Sequence, residues 1–117
     1  MGNVLDAILK IILIDGPVNV SDGYTSKIIT IDNREAEFGI QLDYVNGISP
    51  NLTLHVQTSV DGITFADVTD SDQLLTNASD TVIYDVAGMG PSYLRLRFEG
   101  TGSIDVTVAR YSARRRH

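Results

Sequence analysis

The chain contains neither cysteine nor tryptophan. Without cysteine there are no disulfides, no thiolate zinc sites and no cysteine nucleophile. A small domain without such staples suits a reducing compartment or the inside of an assembly better than a free secreted life. Without tryptophan, the side chain best suited to stacking on a sugar ring is missing, and aromatic residues make up only 7% of the chain. Histidine occurs twice, as His55 and His117, which leaves little material for general acid–base chemistry. A long apolar run is absent too. The stretch from Val4 to Ile14 carries Asp6 and Lys10 and falls short of the roughly 20 apolar residues that span a bilayer. It has no basic leader and no small-residue cleavage site, so it is expected to be neither signal nor anchor. The Asn-x-Ser/Thr triplets at Asn19, Asn51 and Asn77 are then incidental.

What is present is enough for one packed domain: 117 residues, 43% of them hydrophobic. The formal charge is −6, and its distribution is uneven. Arg114, Arg115 and Arg116 sit at the C-terminus, and the rest of the chain sets 6 basic residues against 15 acidic ones. An acidic body of this kind repels nucleic acid, and the basic tail, residues 112–117, reads as a solvated end.

Turn-forming residues recur at short intervals, among them Asp15-Gly16-Pro17, Asp22-Gly23, Asn46-Gly47, Ser49-Pro50, Asp61-Gly62 and Gly100-Thr101-Gly102. Between them lie short runs rich in Ile, Val, Thr, Tyr and Phe, the pattern of an all-β sandwich or barrel. Strands are expected near residues 9–14, 27–32, 37–45, 51–59, 63–68, 80–86, 92–99 and 103–111. Parity orients them, with Phe38, Ile40, Leu42 and Tyr44 on one face, and likewise Leu52, Leu54 and Val56, then Leu94, Leu96 and Phe98, then Ile104, Val106 and Val108. The expected fold is a single antiparallel β-sandwich of about eight strands, jelly-roll or Greek-key like. Its core should hold Ile40, Leu42, Leu54, Val56, Phe65, Val68, Leu94, Leu96, Ile104, Val106 and Val108. Asp61-Gly62 is expected to make a tight hairpin turn with positive φ at both residues. Residues 17–111 form the sandwich; residues 1–16 are an apolar N-terminal arm or its first strand.

Candidate chemistry is sparse. Asp61, Asp67, Asp70 and Asp72 are the best metal candidates, since calcium takes six to eight oxygen ligands, yet their spacing matches no EF-hand loop. The expectation is therefore no resident metal and no cofactor. No Ser-His-Asp arrangement can be built around His55, which falls on the polar side of a strand. Tyr24, Tyr44, Tyr84, Tyr93 and Tyr111, with Arg95 and Arg97, are candidates for a sugar- or peptide-binding face. Tyr93 and Arg95 share strand parity, and they are read as sheet support first and interface second.

Three segments carry a resemblance. The first is Gln57-Thr58-Ser59-Val60-Asp61-Gly62-Ile63-Thr64-Phe65-Ala66-Asp67-Val68. The second runs from Ile83-Tyr84-Asp85-Val86-Ala87-Gly88 to Tyr93-Leu94-Arg95-Leu96-Arg97-Phe98, and the third is Gly100-Thr101-Gly102-Ser103-Ile104-Asp105-Val106. Together with the lead from Val18 to Leu42 they resemble small β-sandwich virion proteins of tailed bacteriophages that decorate or cement the capsid. Phe65 and Tyr84 stand where the commoner form of those motifs has tryptophan. The resemblance implies a non-enzymatic structural protein on the capsid surface of a virion, made in the host bacterial cytoplasm. Its partners would be a major capsid protein and other copies of itself, as a trimer or dimer, with neither nucleic acid nor membrane among them. A carbohydrate-binding module of a tail fibre or enzyme is the alternative, because similar turns occur in such sandwiches. The residues expected at interfaces are Val4, Leu5, Ile8, Ile11 and Ile12 of the arm, together with Tyr93 and Arg95.

Overall fold

The structure, a computed structural model, describes residues 7–31, 35–68, 71–87 and 93–115. Seven strands account for most of them: β1 (Ala7–Val20), β2 (Ile29–Thr30), β3 (Glu35–Ser59), β4 (Ala66–Asp67), β5 (Gln73–Leu75), β6 (Asp80–Ala87) and β7 (Tyr93–Arg115). Two of these are far longer than the sequence suggests. β3 and β7 pair antiparallel over their whole length, from Glu35 opposite Arg115 to Ser59 opposite Tyr93. The turn signals at residues 46–50 and 100–102 do not end strands. They lie opposite one another, Ile48 facing Ser103 and Asn51 facing Thr101, and mark where this long ribbon bends.

Each half of the bent ribbon carries its own neighbours. The first half of β3 takes β6 on its outer side, and the second half of β7 takes β1, which gives the order β1-β7-β3-β6. The second half of β3 takes β4 and β5. The first half of β7 takes β2 and, through the Thr25–Arg97 bridge, the segment before it. Folded at the bend, the ribbon brings together two four-stranded layers whose strand order is that of a jelly roll. The expected fold class is borne out, and the pairing supplies the strand order that the sequence alone does not.

Alternating parity fills the space between the layers. Leu42, Leu52, Leu54, Val56, Leu94, Leu96, Phe98, Ile104 and Val106 are fully buried in one continuous core with Ile40, Tyr44 and Tyr111. Each such aliphatic side chain contributes on the order of 1.5–3 kcal/mol by leaving water. Tyr24 stands edge-on to Phe98, with ring centroids 6.1 Å apart, and Phe38 packs on Tyr111 at 5.2 Å.

Three sequence expectations are corrected. Val108 is only half-buried, and Ala109, Tyr111 and Ala113 point inward instead. A bulge lies there: Tyr44 pairs with Val106 but Asp43 with Val108, and the extra residue reverses the parity of everything after it. Phe65 is not in the core either. It lies half-exposed in the loop before β4, under the Arg95 guanidinium, whose carbon sits 4.2 Å from the ring centroid. Finally, the Asp61-Gly62 turn is not a two-residue hairpin. Thr58 pairs with Ala66, so the loop spans residues 59–65, and of the two turn residues only Gly62 has positive φ, at 80°.

The expected arm is, from Ala7 onward, the first strand of the sheet and continues past residue 16 to Val20. Leu13 and Ile14 are buried in the core, Ile11 packs against it, and Ile12 is 44% exposed. Val4 and Leu5 lie outside the described residues, as does the side chain of Ile8.

Candidate interaction surface

The outer face of the layer built from β4, β5, β2, the second half of β3 and the first half of β7 carries a connected polar network. Its members follow from register: His55 pairs with Arg97, Gln57 with Arg95, and Gln57 on its other side with Asp67. The Arg95 Nε donates to Gln57 Oε1 at 2.9 Å, and Gln57 Nε2 donates to Asp67 Oδ1 at 2.8 Å. Gln57 is buried, and these two bonds satisfy both ends of its amide. The chain continues through His55, whose Nδ1 lies 2.8 Å from Asp72 Oδ1 and 3.4 Å from Asp67 Oδ2. His55 Nε2 lies 3.0 Å from Glu99 Oε1, and Arg97 stands 3.8 Å from the other oxygen of Glu99.

This network gathers some of the acidic candidates and disperses the others. Asp67 and Asp72 converge on His55, with all three donor atoms within 4.8 Å of one another. Asp61 is elsewhere, engaged in its own loop, and Asp70 lies outside the described residues. A nitrogen and two carboxylates form a mixed donor set rather than the oxygen cage that calcium takes. Among the described residues the partners of His55 are carboxylates. The sequence pattern does not single out Glu99; only the pairing of β3 with β7 brings it to the ring.

Beside the network, the loop after β3 projects from one end of the sandwich. Val60 and Ile63 at its tip are 79% and 83% exposed. The loop is nevertheless held from within. The backbone N–H groups of Ile63 and Thr64 donate to Asp61 Oδ1 at 2.8 and 2.9 Å, Ser59 Oγ donates to the same oxygen, and the Gly62 N–H donates to Ser59 Oγ. These bonds, led by the one from Ile63, hold the Asp61 carboxyl at about 2, down from 3.8. A carboxyl held low adds stability above its ordinary value and loses it as pH falls toward the native value. Wild-type protein should therefore lose more melting temperature between pH 4 and pH 2 than Asp61→Ala. At neutral pH the variant's Ile63 and Thr64 amides should exchange faster with deuterium. Equal acid sensitivity in the two proteins would contradict the assignment.

Tyr93 and Arg95, both half-buried, complete this end, with Tyr93 flanking Gly62 and Arg95 stacked on Phe65. The tyrosines do not share a face. Tyr44 and Tyr111 are buried, Tyr24 packs on Phe98, and Tyr84 lines the other layer with its hydroxyl buried and unpartnered. Burial, followed by the negative charge of Asp72, pushes the Tyr84 phenol up.

No protein-family model matches the sequence, and no curated protein matches it either. Solved structures do match the fold. The SPBc2 prophage-derived protein YomS superposes with a TM-score of 0.65 at 10% identity, covering 97% of this chain and 98% of that one. The VP2 subviral particle of infectious bursal disease virus gives 0.60 at 11% identity over 95% of this chain, which spans only 33% of VP2. Bacillus endospore appendages, described as disulfide-linked pili, give 0.54 at 9% identity, covering 98% of this chain and 91% of that one. The chain thus has an all-β fold that recurs in a prophage-derived protein and in VP2 of a subviral particle.

Proposed function

We propose that this chain is a non-enzymatic structural virion protein, a decoration or cement protein that binds the outer face of a phage head and stabilises it. The observation that carries this reading is the loop after β3. It holds Val60 and Ile63 out in water on a backbone already fixed by Asp61 and Ser59. Two exposed β-branched side chains on a pre-ordered loop suit a protein that docks, because little entropy remains to be lost on binding. The Tyr93, Phe65 and Arg95 cluster beside them has the composition of interface hot spots. The resemblance of the motifs to virion proteins, and the likeness of fold to a prophage protein and VP2, support the same reading. The major capsid protein is the proposed partner.

The test is co-sedimentation with phage heads lacking the protein, combined with thermal disruption of those heads. Wild-type chain should bind and raise the disruption temperature. Burying Val60 and Ile63 would contribute about 1.5–3 kcal/mol each, so the double variant Val60→Ser, Ile63→Asp should bind at least about tenfold more weakly with its own melting temperature unchanged. Full binding by the variant would overturn the loop as the contact. Failure of the wild type to bind heads, with binding to a glycan array, would favour the carbohydrate-binding alternative.

A further inference from the structure

The layer β1-β7-β3-β6 has two free edges. Among the described residues nothing pairs with the outer side of β1 or of β6. Over residues 7–12 the β1 edge has no proline, no glycine, no bulge and a single charge, Lys10, so it lacks most of the devices that blunt exposed edges. A register shift at Leu13, between Ile12 and Ile14, ends the regular part of the edge, and Gly16-Pro17 with a second shift interrupts it again further on. A row of unpaired backbone N–H and C=O groups is satisfied best by another strand, and the two edges match each other.

The match follows from register. Lys10 pairs with Ser112, Ser112 with Gly39 and Gly39 with Asp85, so Lys10 and Asp85 close opposite ends of one row on the outer face. Two residues along, Ile12, Arg110, Gln41 and Ile83 form the next outer row, and its ends are exposed isoleucines, 44% and 68%. Between them, on the inner face, the row from Ile11 ends at Tyr84, both only partly buried where the core meets solvent. Direction fits as well. With four antiparallel strands, β1 and β6 run opposite ways, so two copies set side by side in the same orientation bring β6 of one antiparallel to β1 of the next. That placement sets Asp85 beside Lys10, Ile83 beside Ile12 and Tyr84 beside Ile11. Neither Lys10 nor Asp85 has an ion-pair partner among the described residues.

We propose that copies of this chain associate laterally, head to tail, by pairing the Asp80–Ala87 edge of one copy with the edge formed by residues 7–12 of the next. The contact is heterologous, so it closes into a ring or extends as a filament rather than stopping at a two-fold dimer. This self-association is a property of the purified protein alone, separate from capsid binding.

The absence of cysteine provides a clean test. Within one chain, positions 12 and 83 are three inter-strand spacings apart, about 14 Å, beyond the roughly 7 Å that a disulfide can bridge. Under mild oxidation the double variant Ile12→Cys, Ile83→Cys should therefore give a ladder of covalent oligomers on a non-reducing gel. A mixture of the two single variants should give mainly the mixed dimer. Lys10→Glu or Asp85→Lys, added to the double cysteine variant, should each weaken the ladder, and mixing those two proteins should restore it. Efficient dimerisation of Ile12→Cys alone, without a ladder from the double variant, would mean β1 pairs with β1 and would overturn the proposal. So would a double variant that stays monomeric at high protein concentration.

Discussion

Ala109→Lys is expected to unfold the domain or leave it barely folded, while Val108→Lys should change its stability by no more than about 0.5 kcal/mol. The contrast between adjacent residues comes from the bulge opposite Asp43 and Tyr44. Ala109 is fully buried and pairs with Leu42 on one side and Ile14 on the other, both in the core. A lysine there needs space that the packed layer does not have, and it brings an ammonium with no partner into an apolar interior. The loss should be on the order of 4 kcal/mol or more. Val108 faces outward between Asp15 and Asp43 in register. A lysine at that position can extend its stem over the sheet and place its charge between two carboxylates. Urea denaturation of the two variants measures both values. If Val108→Lys were the damaging one, the simple alternation of 104, 106 and 108 would be the true pattern and the bulge would be absent.

That pair of residues shows what the sequence reveals and what it conceals. Period-two alternation identifies the inward faces of Phe38–Tyr44, Leu52–Val56, Leu94–Phe98 and Ile104–Val106, because no extra residue is inserted within any of these runs. It misassigned Val108 because a single extra residue reverses parity, and no local feature of the β-branched run around it announces the bulge. The turn residues at 46–50 and 100–102 were legible as irregularities but not as bends. Whether such residues end a strand or fold it depends on what lies across the sheet, and here the two sites face each other.

The candidate surface was less legible for the same reason. His55 is visible as a polar-face residue, but Asp67 and Glu99 reach it from other strands and Asp72 from the segment before β5, and only the pairing of these elements brings four carboxylate or imidazole groups together. Asp61 was visible as a turn residue, and its role differs in kind from the one expected. Its side chain caps a seven-residue loop instead of its backbone making a tight turn. Phe65 continues an alternating run and so fits a core position by parity, yet the loop extends through it and the sheet resumes only at Ala66.

Gly100→Ala and Gly102→Ala should each cost on the order of 2–5 kcal/mol, and more together. Both glycines sit at the bend of the ribbon with positive φ, 139° and 77°, a region where a side chain is strained by about 1–2 kcal/mol. Space is the larger obstacle. A Cβ on Gly100 would fall on the carbonyl oxygen of Asn51, and one on Gly102 on the carbonyl oxygens of Ser49 and Ile48. These are backbone atoms of the facing strand, at the place where β3 makes the same bend with Asn46 and Ser49 at φ 55° and 45°. Neither strand can yield without parting the ribbon that joins the two layers, so relief must come from separating β3 and β7. Gly23→Ala is the control. It has φ 88° with nothing within 4 Å of the added carbon, so it bears the strain without the clash and should cost only about 1–2 kcal/mol. Thermal and urea melts of the three variants separate the two contributions. If all three were destabilised equally, strain alone would account for the loss, and the close approach of the strands at the bend would not be what keeps glycine at positions 100 and 102.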